Sequence, residues 1–220
     1  MRLAIIYALC VLVLLPIAVA IGCRSKSPLP KTYKICITQI VTHRDLDSVR
    51  QGFIDGMTEE GFKEAVNTEY IVENAEGDIS TATSIADHFV SIMPDLIYAI
   101  STPSSQCVVA AARGTNIPIV FGAVTDPVSA ALVPSWTEAE PYVTGVSDWA
   151  DMATQIQFIL EICPQVKILG VIYNPGEMNS VMQIEELTRK LAPEFDLTIV
   201  EAIVATGDDV NTAAISLVPR

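Results

Sequence analysis

Positive charge is scarce in this sequence. Thirteen lysines and arginines stand against 26 aspartates and glutamates, which gives a formal net charge of −13, and the basic residues form no cluster. Binding to nucleic acid requires grouped lysine and arginine side chains that neutralise phosphates, so the composition predicts no nucleic-acid partner. Small anionic ligands remain compatible with it, because the N–H groups at a helix start can bind them.

Clustered metal ligands are also lacking. The sequence has five cysteines and two histidines, without a C-x-x-C spacing or a histidine cluster, and it therefore predicts no metal site and no cofactor. Cys36 falls in a predicted strand and Cys107 in a predicted helix, where a free thiol usually packs as a small apolar group. A disulfide between two of Cys36, Cys107 and Cys163 stays open as an alternative.

Signatures of catalysis and of phosphate binding are missing as well. Gly52 and Gly56 lie within one predicted helix and indicate close packing rather than a phosphate-binding loop. A hydrolase would need His43 as general base with Ser104 and Asp126 as partners, but no G-x-S-x-G turn accompanies them. The sequence therefore predicts that the protein is not an enzyme.

The N-terminus has the features of a targeting segment. Residues 3–22 contain no charged side chain, and three interpretations remain open. Ala20-Ile21-Gly22-Cys23 resembles a bacterial lipobox, in which Cys23 is lipidated, whereas Ala18-Val19-Ala20 matches an ordinary cleavage site. The apolar run is also about long enough to span a bilayer uncleaved. Each interpretation places the rest of the chain outside the cytoplasm, with residues 1–22 as signal or anchor and residues 23–33 as a tether.

Predicted strands and helices alternate along the remaining sequence. The strands show little polar alternation, which is typical of a parallel sheet covered by helices on both faces. The predicted strands are 34–41, 69–73, 95–100, 117–121, 143–146, 167–173 and 197–201, and the helices are 46–61, 80–92, 104–114, 151–163, 179–191 and 208–218. We predict an α/β fold with an N-terminal lobe at residues 34–147 and a partial C-terminal lobe at residues 148–220. The second lobe has too few strands for an independently stable sheet.

Polar turns follow the carboxyl ends of several predicted strands. They begin at Gln39, Ser101, Val124 and Tyr173. In open α/β sheets, small ligands bind at this edge, so the turns predict a small-molecule site.

A set of short motifs in and around these turns carries a family resemblance. In chain order, the motifs are Thr38-Gln39-Ile40-Val41-Thr42-His43, Val49-Arg50-Gln51-Gly52-Phe53-Ile54-Asp55-Gly56, Asn74-Ala75-Glu76-Gly77-Asp78, Thr102-Pro103-Ser104, Ile117-Pro118-Ile119-Val120-Phe121, Val124-Thr125-Asp126-Pro127-Val128, Val143-Thr144-Gly145-Val146-Ser147-Asp148, and Tyr173-Asn174-Pro175 followed by Asn179-Ser180. As a set, they make the chain resemble the substrate-binding proteins of ABC transporters, in the branch of type I periplasmic binding proteins that includes tryptophan and tyrosine receptors.

This resemblance implies two Rossmann-like lobes with a ligand cleft between them. It also implies that the protein performs no chemistry and delivers its ligand to an ABC permease in the membrane. Members of the family usually continue further along the chain, which implies that the second lobe is incomplete here.

The resemblance also implies roles for individual residues. The helix start at Thr102, Pro103 and Ser104 would take a ligand carboxylate, and Asp126 would pair with the ligand amine. The further candidate contacts are Gln39, His43, Thr125, Ser147, Asp148, Trp149, Tyr173, Asn174, Asn179 and Ser180. Trp149 and Tyr173 would face the ligand side chain. The expected ligand is an amino acid or a similar small molecule, with an aromatic side chain as one option.

Structural alternatives stay open for these turns. Thr102 and Ser104 suit a helix cap, Val124-Thr125-Asp126-Pro127 suits an Asp-Pro turn, and Ser147-Asp148-Trp149 suits a hinge turn. Two alternative functions also remain: a sensory ectodomain anchored by an uncleaved N-terminal helix, and a remnant that binds no ligand.

Overall fold

The computed structural model describes residues 31–218, so the predicted signal, the lipidation site and most of the predicted tether lie outside the described residues. From Tyr33 onward the chain forms one compact unit. The first of its two sheets contains β1 (Tyr33–Gln39), β2 (Thr68–Asn74), β3 (Leu96–Ile100), β4 (Ile119–Val124) and β5 (Val143–Ser147). Their spatial order is β2-β1-β3-β4-β5, and all neighbouring strands are parallel, as the sequence predicts.

Helices connect the first four strands along the chain and cover both faces of the sheet. They are α1 (Arg44–Glu59), α2 (Ile79–Ser91) and α3 (Thr102–Ala111). The side chains of β1 alternate between the faces: Cys36 packs in the cluster that contains α2 and α3, whereas Ile35 and Ile37 pack with α1. Phe53 of α1 stacks on Tyr98 of β3, with ring centroids 4.0 Å apart. Burial on both faces is the reason that the central strands β3 and β4 are continuous apolar runs.

The second sheet is smaller, with β6 (Ile168–Tyr173) paired in parallel with β7 (Thr198–Ile203). Its helical elements are α4 (Met152–Ile162), α5 (Met178–Glu186), a π-helical turn (Leu187–Leu191), α6 (Ala192–Glu194), a 3-10 turn (Gly207–Asp209) and α7 (Val210–Leu217). Ile156, Ile184, Leu187 and Leu191 form their buried core. Helix α5 contacts α3, so the helices of the smaller sheet touch those of the larger one. None of the helices in residues 31–218 is long and apolar enough to cross a membrane.

The start of α5 differs from its predicted position. The helix begins at Met178, and Glu177 occupies the N-cap position. Asn179 and Ser180 therefore lie inside the first turn and do not occupy the cap position. By contrast, Asp78 does cap α2, since its side chain accepts a hydrogen bond from the backbone of the first turn.

The two glycines of α1 have a different role from the predicted one. Gly52 and Gly56 lie on the exposed side of the helix. A Cβ atom added at either position would meet no other atom within 4 Å. The prediction that they mark close packing is therefore wrong.

The three described cysteines are free thiols. Cys36 is buried, Cys107 is half-buried and Cys163 is exposed, so the disulfide alternative is not realised among them. Burial raises the pKa of the Cys36 thiol from its ordinary value of 9.0 to about 12, which keeps it neutral and unreactive. Within residues 31–218, the structure places no group of three or more His, Cys, Asp or Glu side chains that could hold a metal ion.

Candidate ligand-binding site

The carboxyl ends of β1, β3 and β4 lie side by side at one edge of the first sheet, since these strands are parallel neighbours. Gln39 pairs in register with Ile100, and Ile100 pairs with Gly122. The turns that begin at Gln39, Ser101 and Val124 therefore meet at this edge, where ligands of open α/β sheets bind.

The start of α3 is a buried part of this edge. Ser101 is the N-cap residue, with a φ of 85° and no hydrogen bond from its side chain to the helix. A positive φ is uncommon outside glycine, and such residues concentrate at functional sites. The helix begins at Thr102 rather than at the predicted Ser104, because Pro103 is tolerated in a first helical turn. Thr102, Pro103 and Ser104 are all buried, and none of them is the cap that the structural alternative expects.

Three buried hydroxyl groups near the start of α3 have no hydrogen-bond partner. Thr38 is 1% exposed, Ser101 is 8% exposed and Ser104 is 1% exposed. Thr38 of β1 pairs in register with Ala99 of β3, and Ser101 lies two residues after Ala99 in the chain. A buried hydroxyl without a partner costs about 1–3 kcal/mol, so three of them, one in β1 and two at the helix start after the adjacent strand β3, call for a functional explanation.

Thr38 and Ser101 are absent from the residues that the sequence predicts for the site. The alternation of side chains along β1 could have predicted the direction in which Thr38 points. Cys36 faces α2 and α3, and Thr38, two residues further on, faces the same side of the sheet. Gln39 points to the opposite side. The positive φ of Ser101, in contrast, has no sequence signal, because serine is not a residue that usually adopts it.

Ser105 provides the contrast within the same helical turn. It is fully buried, and its hydroxyl donates to the Ser101 carbonyl at 2.7 Å and lies 3.2 Å from the Ala99 carbonyl. The contact with Ala99 shows that the first turn of α3 packs against the end of β3. Ser104 and Ser105 are thus neighbours in a buried turn, and only Ser105 has a hydrogen-bond partner for its hydroxyl.

The side chains of Gln39 and His43 both make hydrogen bonds to other residues of the protein. Gln39 is fully buried, and its amide group is hydrogen-bonded to Val41, Asp47 and Arg50. His43 is exposed and is the N-cap residue of α1, where its Nδ1 accepts from a backbone N–H of the first turn at 3.3 Å. The structure thus gives both residues structural contacts at the predicted edge.

Asp126 is half-buried and stabilises its own turn. One carboxylate oxygen accepts from the backbone N–H of Val128 at 3.0 Å and from that of Ser129 at 3.1 Å. The other accepts from the Ser129 hydroxyl at 2.7 Å. Thr125 beside it is buried. The Asp-Pro turn is therefore formed, and the oxygen that accepts from the Ser129 hydroxyl retains one further acceptor site.

Ser147, Asp148 and Trp149 form the start of the connection from the first sheet to α4. The Ser147 hydroxyl donates to the Thr125 carbonyl at 2.8 Å and accepts from the Trp149 backbone N–H at 3.0 Å. Asp148 is exposed, and the Trp149 side chain is partly exposed at 37%. This turn ties the end of β5 to the Asp126 turn and leaves an aromatic surface open to solvent.

Tyr173 is the last residue of β6, and Asn174 begins the turn that follows it. The Tyr173 hydroxyl donates to a carboxylate oxygen of Glu201 on β7 at 2.9 Å, and this bond is the main reason that the pKa of Tyr173 is raised. The side-chain amide oxygen of Asn174 accepts from the backbone N–H of Gly176 at 2.9 Å, which shapes the turn before α5.

A groove of about 510 Å³ runs between elements of the two sheets. Its lining includes Pro103 at the start of α3 and Gly176 and Glu177 in the turn before α5. Ser180 is half-buried, and the side-chain amide oxygen of Asn179 is buried without a hydrogen-bond partner. The structure therefore brings the turn of the second sheet next to the start of α3, while the Asp126 and Trp149 turns lie outside the lining of this groove.

Fold and site together define a small-ligand-binding protein of the parallel α/β class. The family model for the ABC transporter substrate binding protein matches residues 34–219. The chain therefore belongs to the ABC transporter substrate-binding protein family, which is a family of binding proteins rather than of enzymes.

A tyrosine-binding protein of Clostridioides difficile (strain R20291) is 39% identical to the chain over 195 residues. The match covers 89% of this chain and 56% of that protein, so the chain spans little more than half the length of this relative.

Solved structures agree with this placement. A conserved domain protein of Vibrio cholerae is 40% identical with a TM-score of 0.80, over 85% of this chain and 62% of that one. The ABC domain of a Streptococcus pneumoniae protein in complex with L-Trp is 30% identical with a TM-score of 0.81, over 86% and 63%. The leucine-binding protein LivK of Thermotoga maritima, at 16% identity and a TM-score of 0.64, shares the fold. The predicted family and the type I periplasmic-binding-protein fold are thus confirmed.

Proposed function

We propose that the protein is the extracytoplasmic substrate-binding component of an ABC importer and that it captures an amino acid. Two similar proteins support the ligand class, since one is a tyrosine-binding protein and another holds L-Trp. The observation that carries the proposal is the group of unpartnered buried hydroxyls, Thr38, Ser101 and Ser104, near the start of α3.

A ligand carboxylate fits the start of α3 on two grounds. The first N–H groups of a helix have no partner within the helix and form the positive end of its dipole. Ser101 and Ser104 add hydroxyl donors in the same turn, and hydrogen bonds to a charged acceptor are roughly twice as strong as neutral ones. Pro103 lacks an N–H group, but its position in the first turn means that no helix bond is lost.

The amine of the ligand is assigned to Asp126. Its carboxylate is held in place by the Val128 and Ser129 hydrogen bonds, so it is pre-oriented before a ligand arrives. An ammonium group could add a bond to the oxygen that accepts only from the Ser129 hydroxyl, without breaking the turn. The carboxylate and amine subsites then lie at the ends of β3 and β4, which are adjacent strands.

The remaining predicted contacts except Gln39, whose amide group is used within the protein, are assigned to the side-chain pocket and the rim of a cleft between lobes at residues 34–147 and 148–220. Trp149 and Tyr173 would contact the ligand side chain, because each presents an aromatic ring near one of the polar turns. The rim residues are His43, Thr125, Ser147, Asp148, Asn174, Asn179 and Ser180.

The N-terminal sequence supports a location outside the cytoplasm. Either lipidation of Cys23 or retention of residues 1–22 as a membrane anchor would keep the protein close to an ABC permease, which would receive the ligand.

Calorimetric titration with three related ligands tests the proposal. L-Tyrosine carries both the carboxylate and the amine, 3-(4-hydroxyphenyl)propionate lacks the amine, and tyramine lacks the carboxylate. We expect L-tyrosine to bind most tightly. Asp126→Asn should weaken L-tyrosine about tenfold or more, the effect of losing one charge-assisted hydrogen bond, but leave the propionate unchanged. Absence of binding by both L-tyrosine and L-tryptophan would refute the proposed ligand class.

A further inference from the structure

Gln39, Asp47 and Arg50 form a closed polar network at the end of β1. The amide nitrogen of Gln39 donates to a carboxylate oxygen of Asp47 at 2.9 Å, and its amide oxygen accepts from the guanidinium of Arg50. The Arg50 guanidinium also pairs with the same oxygen of Asp47, at 3.1 Å. Each of the three side chains therefore contacts the other two.

The same network reaches the loop that joins β1 to α1. The amide nitrogen of Gln39 donates a second hydrogen bond to the Val41 carbonyl at 3.0 Å. Both of its amide hydrogens are thus used, and only one acceptor site on its oxygen is unoccupied. With so little capacity left, Gln39 is poorly suited to contact a ligand directly.

Two further bonds hold this loop from the side of β2. The Ile40 carbonyl accepts from the Gly77 N–H at 2.7 Å, and the Thr42 hydroxyl accepts from the Asn74 side chain at 2.8 Å. Without the Gln39 bond, the Val41 carbonyl at the middle of the loop would lose its described hydrogen bond. The network of Gln39, Asp47 and Arg50 therefore restrains the loop through the Val41 carbonyl.

We propose that Gln39, Asp47 and Arg50 are positioning residues that clamp the loop 40–43 at the ligand edge of the first sheet. The clamp also restrains the end of β1, where the preceding residue, Thr38, presents its unpartnered hydroxyl to the opposite side of the sheet. The two side chains at this strand end thus have different roles. Gln39 orders the backbone of the loop, and the Thr38 hydroxyl is available to bind the ligand. The consequence for ligand affinity rests on the proposed function, whereas the ordering of the loop does not.

Arg50 and Asp47 suit this role because their charges are shielded. Both side chains are only partly exposed, whereas a neighbouring pair in the same helix, Arg44 and Asp45, is almost fully exposed and 3.9 Å apart. An exposed pair contributes little to stability. Arg44→Met is therefore a matched control for Arg50→Met, with the same change of charge and side-chain shape in the same helix.

Amide hydrogen exchange and ligand titration on the same protein samples test the proposal. We expect Arg50→Met and Asp47→Asn to accelerate exchange of the Gly77 amide, which donates to the Ile40 carbonyl of the loop, about tenfold, with β3 amides unchanged, and to raise the Kd for L-tyrosine by a similar factor. The Gly77 amide is the readout of loop exchange. The double variant should exceed neither single variant by much, because either substitution opens the closed network. Arg44→Met should change neither readout.

Three outcomes would overturn the proposal. The first is loop exchange in Arg50→Met that equals that of Arg44→Met. The second is acceleration of the β3 amides by the same factor as the loop, since this indicates a global loss of stability. The third is faster loop exchange with an unchanged Kd, which removes the positioning role for the ligand. If the unaltered protein itself fails to bind L-tyrosine and L-tryptophan, the proposed function is refuted separately, and the exchange data alone decide whether the clamp exists.

Discussion

Replacement of Ser104 by alanine should stabilise the unliganded protein, although it removes a polar group from the proposed site. The Ser104 hydroxyl is 1% exposed and has no hydrogen-bond partner. An unsatisfied buried hydroxyl costs about 1–3 kcal/mol. Alanine also has the higher helix propensity, which adds a few tenths of a kcal/mol.

Ser105→Ala is the matched control for this substitution. It deletes the same hydroxyl from the adjacent position of the same helical turn, with the same gain in helix propensity. Here, however, the hydroxyl donates to the Ser101 carbonyl, and loss of such a bond costs about 0.5–1.5 kcal/mol. The two variants should therefore differ in unfolding free energy by about 3 kcal/mol. For a chain of this size, that corresponds to a separation of about 6–12 °C in Tm.

Urea and thermal denaturation of the unliganded proteins provide the measurement. We expect Ser104→Ala to unfold at a higher urea concentration than the unaltered protein and Ser105→Ala at a lower one, with equal m-values. In the presence of L-tyrosine the gain should shrink, because Ser104→Ala loses a donor to the bound carboxylate. A decrease in stability for Ser104→Ala, or equal shifts for both variants, would contradict the interpretation of Ser104 as an unsatisfied group held ready for a ligand.

Other predictions address the fold. A Cβ atom at Gly145 would collide with the backbone oxygen and the ring of Phe121 on the adjacent strand, so Gly145→Ala should lower stability by about 2 kcal/mol or more in urea denaturation. Gly52→Ala should instead raise it by about 0.5–1 kcal/mol in the same assay, because the added methyl group meets open space in a helix interior. With a thiol reagent at pH 8, Cys163 should react in the native protein and Cys36 only after unfolding. Because the pKa of Cys36 rises from 9.0 to about 12 on folding, stability that is present below pH 9 should fall as the pH rises towards 12, and Cys36→Ala should abolish that part of the decline.

The fold class could be predicted from hydrophobic patterns along the sequence, which can be recognised without knowing any tertiary contact. Continuous apolar runs such as Leu96–Ile100 indicate strands buried on both faces, and such strands are nearly always parallel and joined by helices. Parallel strands place their carboxyl ends at a common edge. The positions of the turns at Gln39, Ser101 and Val124 could therefore be predicted before the sheet order was known.

The roles of single side chains in those turns could not be predicted in the same way. Asn179 and Ser180 have the composition of a helix cap, but the helix begins one residue earlier, with Glu177 as its N-cap residue. Gly52 and Gly56 have the spacing of a close helix contact, but no other element approaches them. In both cases the outcome depends on what lies nearby in space, and local sequence carries little information about that.

The sequence by itself determined the α/β class, the parallel sheet and the edge at which the polar turns meet, because strand burial and chain direction follow from hydrophobic pattern and connectivity. Only the tertiary structure decided which polar groups are satisfied. Thr38 and Gln39 are adjacent, as are Ser104 and Ser105, yet in each pair one side chain is hydrogen-bonded and the other is not. A polar side chain is satisfied only where it meets a partner in space. A step of one residue along a strand or a helix points the side chain in a different direction, towards other neighbours.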